Sequence, residues 1–309
     1  MEALKMESHV LRQPGTSQPG WWVGAPSITF VPDYGFLLGY RLRAGDGRRG
    51  YENRLAFSHD GIHFEDILSI PAHTLSTRSM ERPCIRKIGD TFYLYISYVD
   101  PKNDRWRIDV INGKDPRHLQ IDSLQPVLTA KDCEAESVKD PYLLEYNGQL
   151  YLYISYAEPL AEDDVTAKEA MQASGDVFTL QKVLSMTGIA TGTSPTIFTW
   201  NGKVLSPRPE TMDSHTARLT GILPTSSRLF AIYDSNTQNG PNYEEKMALA
   251  IFHTPFQLHP ISSKENWLNE LIVESIRYVD PIVVNGRLYL YYEKTNLSGT
   301  HELWVTVMG

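Results

Sequence analysis

Hydrophobic residues along this chain gather in short runs closed by turns, and one arrangement of them recurs. A polar or charged stretch meets a proline, an apolar run follows, then a turn, then a strand dense in tyrosine. It reads Glu81-Arg82-Pro83-Cys84-Ile85, a Gly89-Asp90 turn, and Phe92-Tyr93-Leu94-Tyr95-Ile96-Ser97-Tyr98. It recurs as Lys139-Asp140-Pro141-Tyr142-Leu143, Asn147-Gly148, and Leu150-Tyr151-Leu152-Tyr153-Ile154-Ser155-Tyr156. Near the C-terminus it returns as Val279-Asp280-Pro281-Ile282-Val283, Asn285-Gly286, and Leu288-Tyr289-Leu290-Tyr291-Tyr292. Short apolar or alternating runs bounded by Gly, Asn and Asp read as β-strands, and self-similarity in four-strand units of roughly 40–60 residues reads as propeller blades. No long amphipathic helix is legible; residues 161–173 hold at most a short one.

The remaining segments fit the same frame. A first blade opens at Trp21-Trp22-Val23-Gly24-Ala25-Pro26, turns at Asp33-Tyr34-Gly35, and returns through Phe36-Leu37-Leu38-Gly39-Tyr40. Its third strand is Arg54-Leu55-Ala56-Phe57-Ser58, and His59-Asp60-Gly61 is the turn before Ile62-His63-Phe64. Residues 191–206 fall to the outer part of the third blade. The fourth blade is read from Asp213-Ser214-His215 to Leu223 and from Arg228 to Tyr233. Tyr243-Glu244-Glu245-Lys246-Met247-Ala248 repeats Tyr51-Glu52-Asn53-Arg54-Leu55-Ala56 and supplies its third strand. The fifth blade starts at Asp280-Pro281, ends at His301–Val307 and lacks an outer strand, which His9-Val10-Leu11 can supply. Such pairing of the two termini removes exposed sheet edges. The expected fold is all-β, a five-bladed β-propeller forming one domain over residues 1–309.

Composition narrows the setting. A formal charge of −8 argues against a nucleic-acid partner, which needs a clustered basic surface. No apolar run approaches membrane-span length, so no membrane partner is expected. Met1–Glu7 carries no apolar signal-peptide core, and Cys84 and Cys133 make no disulfide framework. A reduced, cytoplasmic protein acting on a small-molecule or oligosaccharide substrate is the simplest reading. No His/Cys cluster has metal-ligand spacing, so no metal or cofactor is expected, with a calcium ion in the channel left open. Gly-rich phosphate loops and nucleophile elbows are missing as well.

The inner strand of each propeller blade lines the central channel, so residues just before the repeated prolines should converge at one mouth. These are Ala25, Glu81 with Arg82, Lys139 with Asp140, Asp213 with His215, and Arg277 with Asp280. Carboxylates delivered to one cavity can have their pKa values driven apart, which acid–base chemistry requires. Asp140, Asp213, Asp280 and Glu81 are therefore the candidate catalytic groups. Arg82, Lys139, Arg277 and His215 would orient the substrate and suit an anion, while Trp21 and Trp22 offer a sugar platform. Each has a plainer alternative. Aspartates before proline cap turns, the tyrosine strands and tryptophans pack blades, and His215 can be a satisfied buried histidine.

With Lys139-Asp140-Pro141-Tyr142, the Asn-Gly-then-tyrosine strands, Ser58-His59-Asp60-Gly61-Ile62-His63-Phe64 and Asp213-Ser214-His215 in place, the chain resembles the five-bladed propeller glycosidases. That group comprises the arabinanases and β-xylosidases, the invertases and levansucrases, and the β-mannoside phosphorylases. The resemblance runs from about Trp21 to Val307. It implies cleavage of a glycosidic bond by carboxylates at the channel mouth, with phosphate as co-substrate in a phosphorylase. It maps Asp140 onto the family's pKa-tuning aspartate. Two positions depart: Ala25 stands where arabinanase-like enzymes carry the base aspartate, and the blade that should carry the acid glutamate opens with Asp213. A sugar- or protein-binding propeller without catalysis, and a propeller recruited to non-sugar chemistry, remain the alternatives.

Overall fold

A computed structural model of the chain describes residues 5–160, 183–237, 245–261 and 275–309. The segment 161–173 and the pair Tyr243-Glu244 lie outside the described residues. The N-terminal strand β1 (Met6–Arg12) precedes four sequential four-stranded units. These are β2 (Trp22–Val31) to β5 (Glu65–Pro71), through β3 (Gly35–Ala44) and β4 (Arg49–Ser58); then β6 (Cys84–Ile88) to β9 (Gln125–Leu128), through β7 (Thr91–Val99) and β8 (Trp106–Gly113). The third is β10 (Ser137–Tyr146), β11 (Gln149–Ala157), β12 (Met186–Ser194) and β13 (Ile197–Leu205). The fourth is β14 (Thr216–Pro224), β15 (Leu229–Asn236), β16 (Lys246–Thr254) and β17 (Gln257–Pro260). The last unit holds β18 (Ile276–Val284), β19 (Arg287–Thr295) and β20 (His301–Met308), and β1 completes it by pairing antiparallel with β20. This is the expected all-β propeller with five blades, each a meander of antiparallel neighbours, closed by the two ends of the chain. A single parallel bridge, Trp22 to His301, joins blade 5 to blade 1.

Five apolar seams hold the ring, one between each pair of adjacent blades. Leu37, Leu55, Ile85 and Leu94 pack between blades 1 and 2, and Cys84, Ile108, Val138 and Leu152 between blades 2 and 3. Tyr153, Ile189, Leu219 and Ala231 fill the seam between blades 3 and 4. Ile232, Leu249, Val279 and Leu290 lie between blades 4 and 5, and Phe36, Leu38, Tyr291 and Val305 between blades 5 and 1. Cys84 sits in its seam as a small buried hydrophobe.

The recurrent motif has a mechanical explanation. Asn147-Gly148 and Asn285-Gly286 both adopt positive φ, as the twist-matched two-residue hairpin requires. The tyrosine strand then sends one hydroxyl across to the next blade. Tyr95 donates to the Pro195 carbonyl at 2.7 Å, Tyr153 to Pro255 at 2.9 Å, and Tyr291 to Gly61 at 2.8 Å. These three occupy the same register position in blades 2, 3 and 5, each pairing with the residue just past the inner-strand irregularity. Among the described residues no helix is long and apolar enough to cross a membrane.

Candidate functional site

The inner strands β2, β10 and β18 share one irregularity. Pairing shifts between Gly24 and Ser27, between Lys139 and Tyr142, and between Arg277 and Asp280. The first bulged residue takes positive φ in each: Ala25 at 52°, Asp140 at 55° and Tyr278 at 55°. A bulge re-aims the strand. In register, the residue before the bulge is Gly24, Glu81, Lys139, Arg218 and Arg277 around the five blades; its partner on the second strand is Arg41, Ser97, Ser155, Asp234 and Glu293. Seven of the ten positions of this fivefold frame carry a buried charged side chain.

Most of that charge is bound up in ion pairs. Glu293 receives Arg277 at 2.8 Å, Arg41 at 2.9 Å and the His301 ring, and it also accepts the Ala25 N–H at 2.9 Å. Burial pushes this carboxyl up, but Arg277, Arg41 and His301 outweigh it and hold it well below the usual range. Glu245 bridges Arg277, at 2.9 Å, and Arg218; here too burial is outweighed by the two guanidiniums and the pKa is lowered. Glu81 pairs with Arg41 at 3.1 Å and Arg43 at 3.7 Å. Gly24 is what makes room: a Cβ there would lie 2.1 Å from the Glu293 Oε2.

Asp140 differs. It is 2 % exposed, and neither carboxylate oxygen takes part in a hydrogen bond. Burial raises its pKa; Lys139, Arg218 and Arg82 pull the other way and Glu81 adds to the rise. Across the site, Asp234 accepts the Tyr278 N–H at 2.9 Å. Burial raises its pKa also, against the pull of Arg218.

The residues singled out in the sequence fall into three places. Glu81, Lys139 and Arg277 occupy this frame and Asp140 the bulge next to it, Lys139 with its ammonium 5.1 Å from the Trp106 ring centre. Asp280 and Arg82 form a buried pair, Arg82 at the bulge level of blade 2 and Asp280 past the bulge of blade 5. Arg82 binds Asp280 at 3.2 Å and the Pro26 carbonyl at 2.8 Å, while Asp280 accepts the Ile28 N–H. The expectation that Asp280 matches Asp140 needs correction: the bulge of blade 5 is at Tyr278-Val279, so Asp280 stands level with Tyr142. The fourth blade needs a similar one. Its frame position is Arg218, and Asp213 lies five residues upstream, bound by Arg208 at 3.0 Å, Thr211 and the Tyr233 hydroxyl. His215 also precedes β14, its N–H on the Asn236 carbonyl. Trp22 is buried, stacked on His301 at 4.3 Å and flanked by the guanidiniums of Arg43 and Arg277. Trp21 is half-buried beside Arg48.

Reasoning from the sequence missed Arg41, Arg218, Asp234, Glu245, Tyr278 and Glu293. A signal was present: the second strands carry one polar residue at a fixed place, as in Tyr40-Arg41-Leu42, Tyr233-Asp234-Ser235 and Tyr292-Glu293-Lys294. Among the described residues no group of three or more His, Cys, Asp or Glu is placed to hold a metal ion.

No family model matches the sequence, and no curated protein does. Solved structures match in fold. A provisionally assigned glycoside hydrolase of Parabacteroides distasonis is similar with a TM-score of 0.64 at 16% identity, covering 99% of this chain and 96% of that one. The β-1,2-mannobiose phosphorylase of Listeria innocua, in complex with β-1,2-mannobiose, gives 0.60 at 15%, covering 97% and 90%. A thermostable family-43 glycoside hydrolase gives 0.66 at 11%, covering 97% and 91%. At these identities the likeness establishes the five-bladed propeller fold.

Proposed function

We propose that this chain is a carbohydrate-active enzyme that cleaves a glycosidic bond at the channel mouth. Asp140 is the general acid and Glu81 the charged carboxylate opposite it. The observation that carries this reading is the state of Asp140. In a network where the neighbouring carboxylates are neutralised by arginine, it alone among the described residues is buried with both oxygens unpartnered. A buried polar group left unpaired costs about 1–3 kcal/mol, a cost tolerated where a ligand supplies the missing partner. Burial favours the protonated carboxyl, which is the form a glycosidic acid needs. Glu81, ion-paired with Arg41 and Arg43, is stabilised as the anion. Two carboxyls with opposed environments make an acid and base assignment.

On this reading the acid gives its proton to the leaving glycosidic oxygen as the C–O bond breaks. Water or phosphate then takes the anomeric carbon, with Glu81 receiving the proton of water in the hydrolytic case. Asp280 and Asp213 become framework carboxylates, satisfied by Arg82 and by Arg208 with Tyr233. Similarity in fold to glycoside hydrolases and to a mannobiose phosphorylase supports the substrate class. The test is a panel of p-nitrophenyl glycosides (β-mannoside, β-xyloside, α-arabinofuranoside, β-glucoside) together with β-1,2-mannobiose, each assayed with and without phosphate. Turnover that falls about 10²-fold or more in Asp140→Asn is expected, the scale of lost acid–base catalysis. Turnover unchanged in that variant contradicts the assignment.

A further inference from the structure

We propose that Tyr278 is a substrate-contacting residue of this site, its hydroxyl acting with Asp140 and Glu81 as the third polar group that meets the sugar. The inference rests on the carbohydrate reading above. Three observations point to it.

The first is backbone geometry. Tyr278 fills the bulge position of blade 5 that Asp140 fills in blade 3, at the same φ of 55°. A bulky residue there is an outlier and costs on the order of 1–3 kcal/mol. The frame does not require it, because blades 2 and 4 place Arg82 and Leu219 at this level without positive φ.

The second is the way the residue is held. Its N–H is fixed on Asp234. Its ring is approached by two guanidiniums, Arg277 at 5.0 Å and Arg218 at 5.8 Å from the ring centre. Glu245 ties those two arginines together. Backbone and ring are thus locked by buried groups that themselves have no freedom, which is how a functional side chain is preorganised.

The third is the hydroxyl. The packing tyrosines of this protein, Tyr95, Tyr153 and Tyr291, each donate to a carbonyl of a neighbouring blade. Among the described residues no hydrogen bond takes up the Tyr278 hydroxyl. After burial, the groups acting most strongly on it are Asp140 and Glu81, and together they keep it protonated. A phenol held neutral beside two carboxyls is a fixed donor for a sugar oxygen. It orients the ring and gives up no proton.

Tyr278→Phe tests the proposal, since it keeps the ring beside the guanidiniums and removes only the hydroxyl. With the glycoside of the panel that the wild type turns over, kcat/KM is expected to fall about tenfold, the worth of one hydrogen bond, at an unchanged melting temperature. An unchanged kcat/KM overturns the proposal and leaves the carbohydrate reading standing. A melting temperature lowered by several degrees with kcat/KM retained means the hydroxyl is structural and overturns it too. If the wild type turns over no glycoside, calorimetric titration with the same four p-nitrophenyl glycosides decides. Binding that weakens in Tyr278→Phe supports the contact although the catalytic reading has failed. Equal binding, or no binding by the wild type, overturns it.

Discussion

At the scale of single residues, the molecule shows how a propeller spends its buried charge. Glu293 is the pivot: two guanidiniums, an imidazole and a backbone N–H meet on one carboxylate. Removing one partner of a buried pair typically costs 3–5 kcal/mol, about what Glu293→Gln should cost in chemical denaturation. Gly24→Ala should destabilise through the same group, since its methyl would occupy the place of the carboxylate; an unchanged midpoint would show that Glu293 can move aside. Acid should do the same work as mutation. Glu293 and Glu245 have folded pKa values below their unfolded ones, so the stability they confer is full above the ordinary glutamate value and is lost as pH falls towards the folded values. Melting temperature should therefore drop steeply below about pH 4.5, and Glu293→Gln should flatten that slope.

At the scale of strands, the sequence was readable where local chemistry repeats and unreadable where it does not. Asn-Gly turns and tyrosine strands announced the blades because hairpin geometry and the inter-blade hydroxyl both demand particular residues. Tyr153→Phe should lower stability by about 1–3 kcal/mol, because the Pro255 carbonyl would be left unpaired, and Tyr95→Phe and Tyr291→Phe likewise, read as denaturation midpoints. The bulge demands no residue type, and there the reading slipped. Asp140 and Tyr278 both stand seven residues before the asparagine of their Asn-Gly turn, whereas Asp280 stands five before it. Matching the Asp-Pro pair instead of the distance to the turn aligns Asp280 with Asp140, two residues out of register. In blade 4 the proline and the Asn-Gly turn are both missing, so nothing local marks Arg218, and Asp213 is the acidic residue that the sequence offers nearby.

At the scale of the whole molecule, two devices follow from closing the ring. Pairing of β1 with β20 makes a blade out of both chain ends. A chain lacking residues 1–12 should melt lower and self-associate, because β20 then presents an open edge; sedimentation of the shortened protein checks this. The ring also gathers charges from four blades into one network, which no segment in isolation can report. The ladder of Arg41, Glu293, Arg277, Glu245 and Arg218 crosses blades 1, 4 and 5 and leaves Asp140, delivered by blade 3, unsatisfied beside it. That isolated carboxyl is the centre of the account, and the pH dependence of kcat/KM tests it most directly. For an acid whose pKa is raised by burial, the profile should carry a basic limb, activity falling as pH rises through that pKa. In Asp140→Asn the residual activity should lose this falling limb while the variant melts like the wild type. A basic limb that survives unchanged in Asp140→Asn would contradict the assignment of Asp140 as the acid.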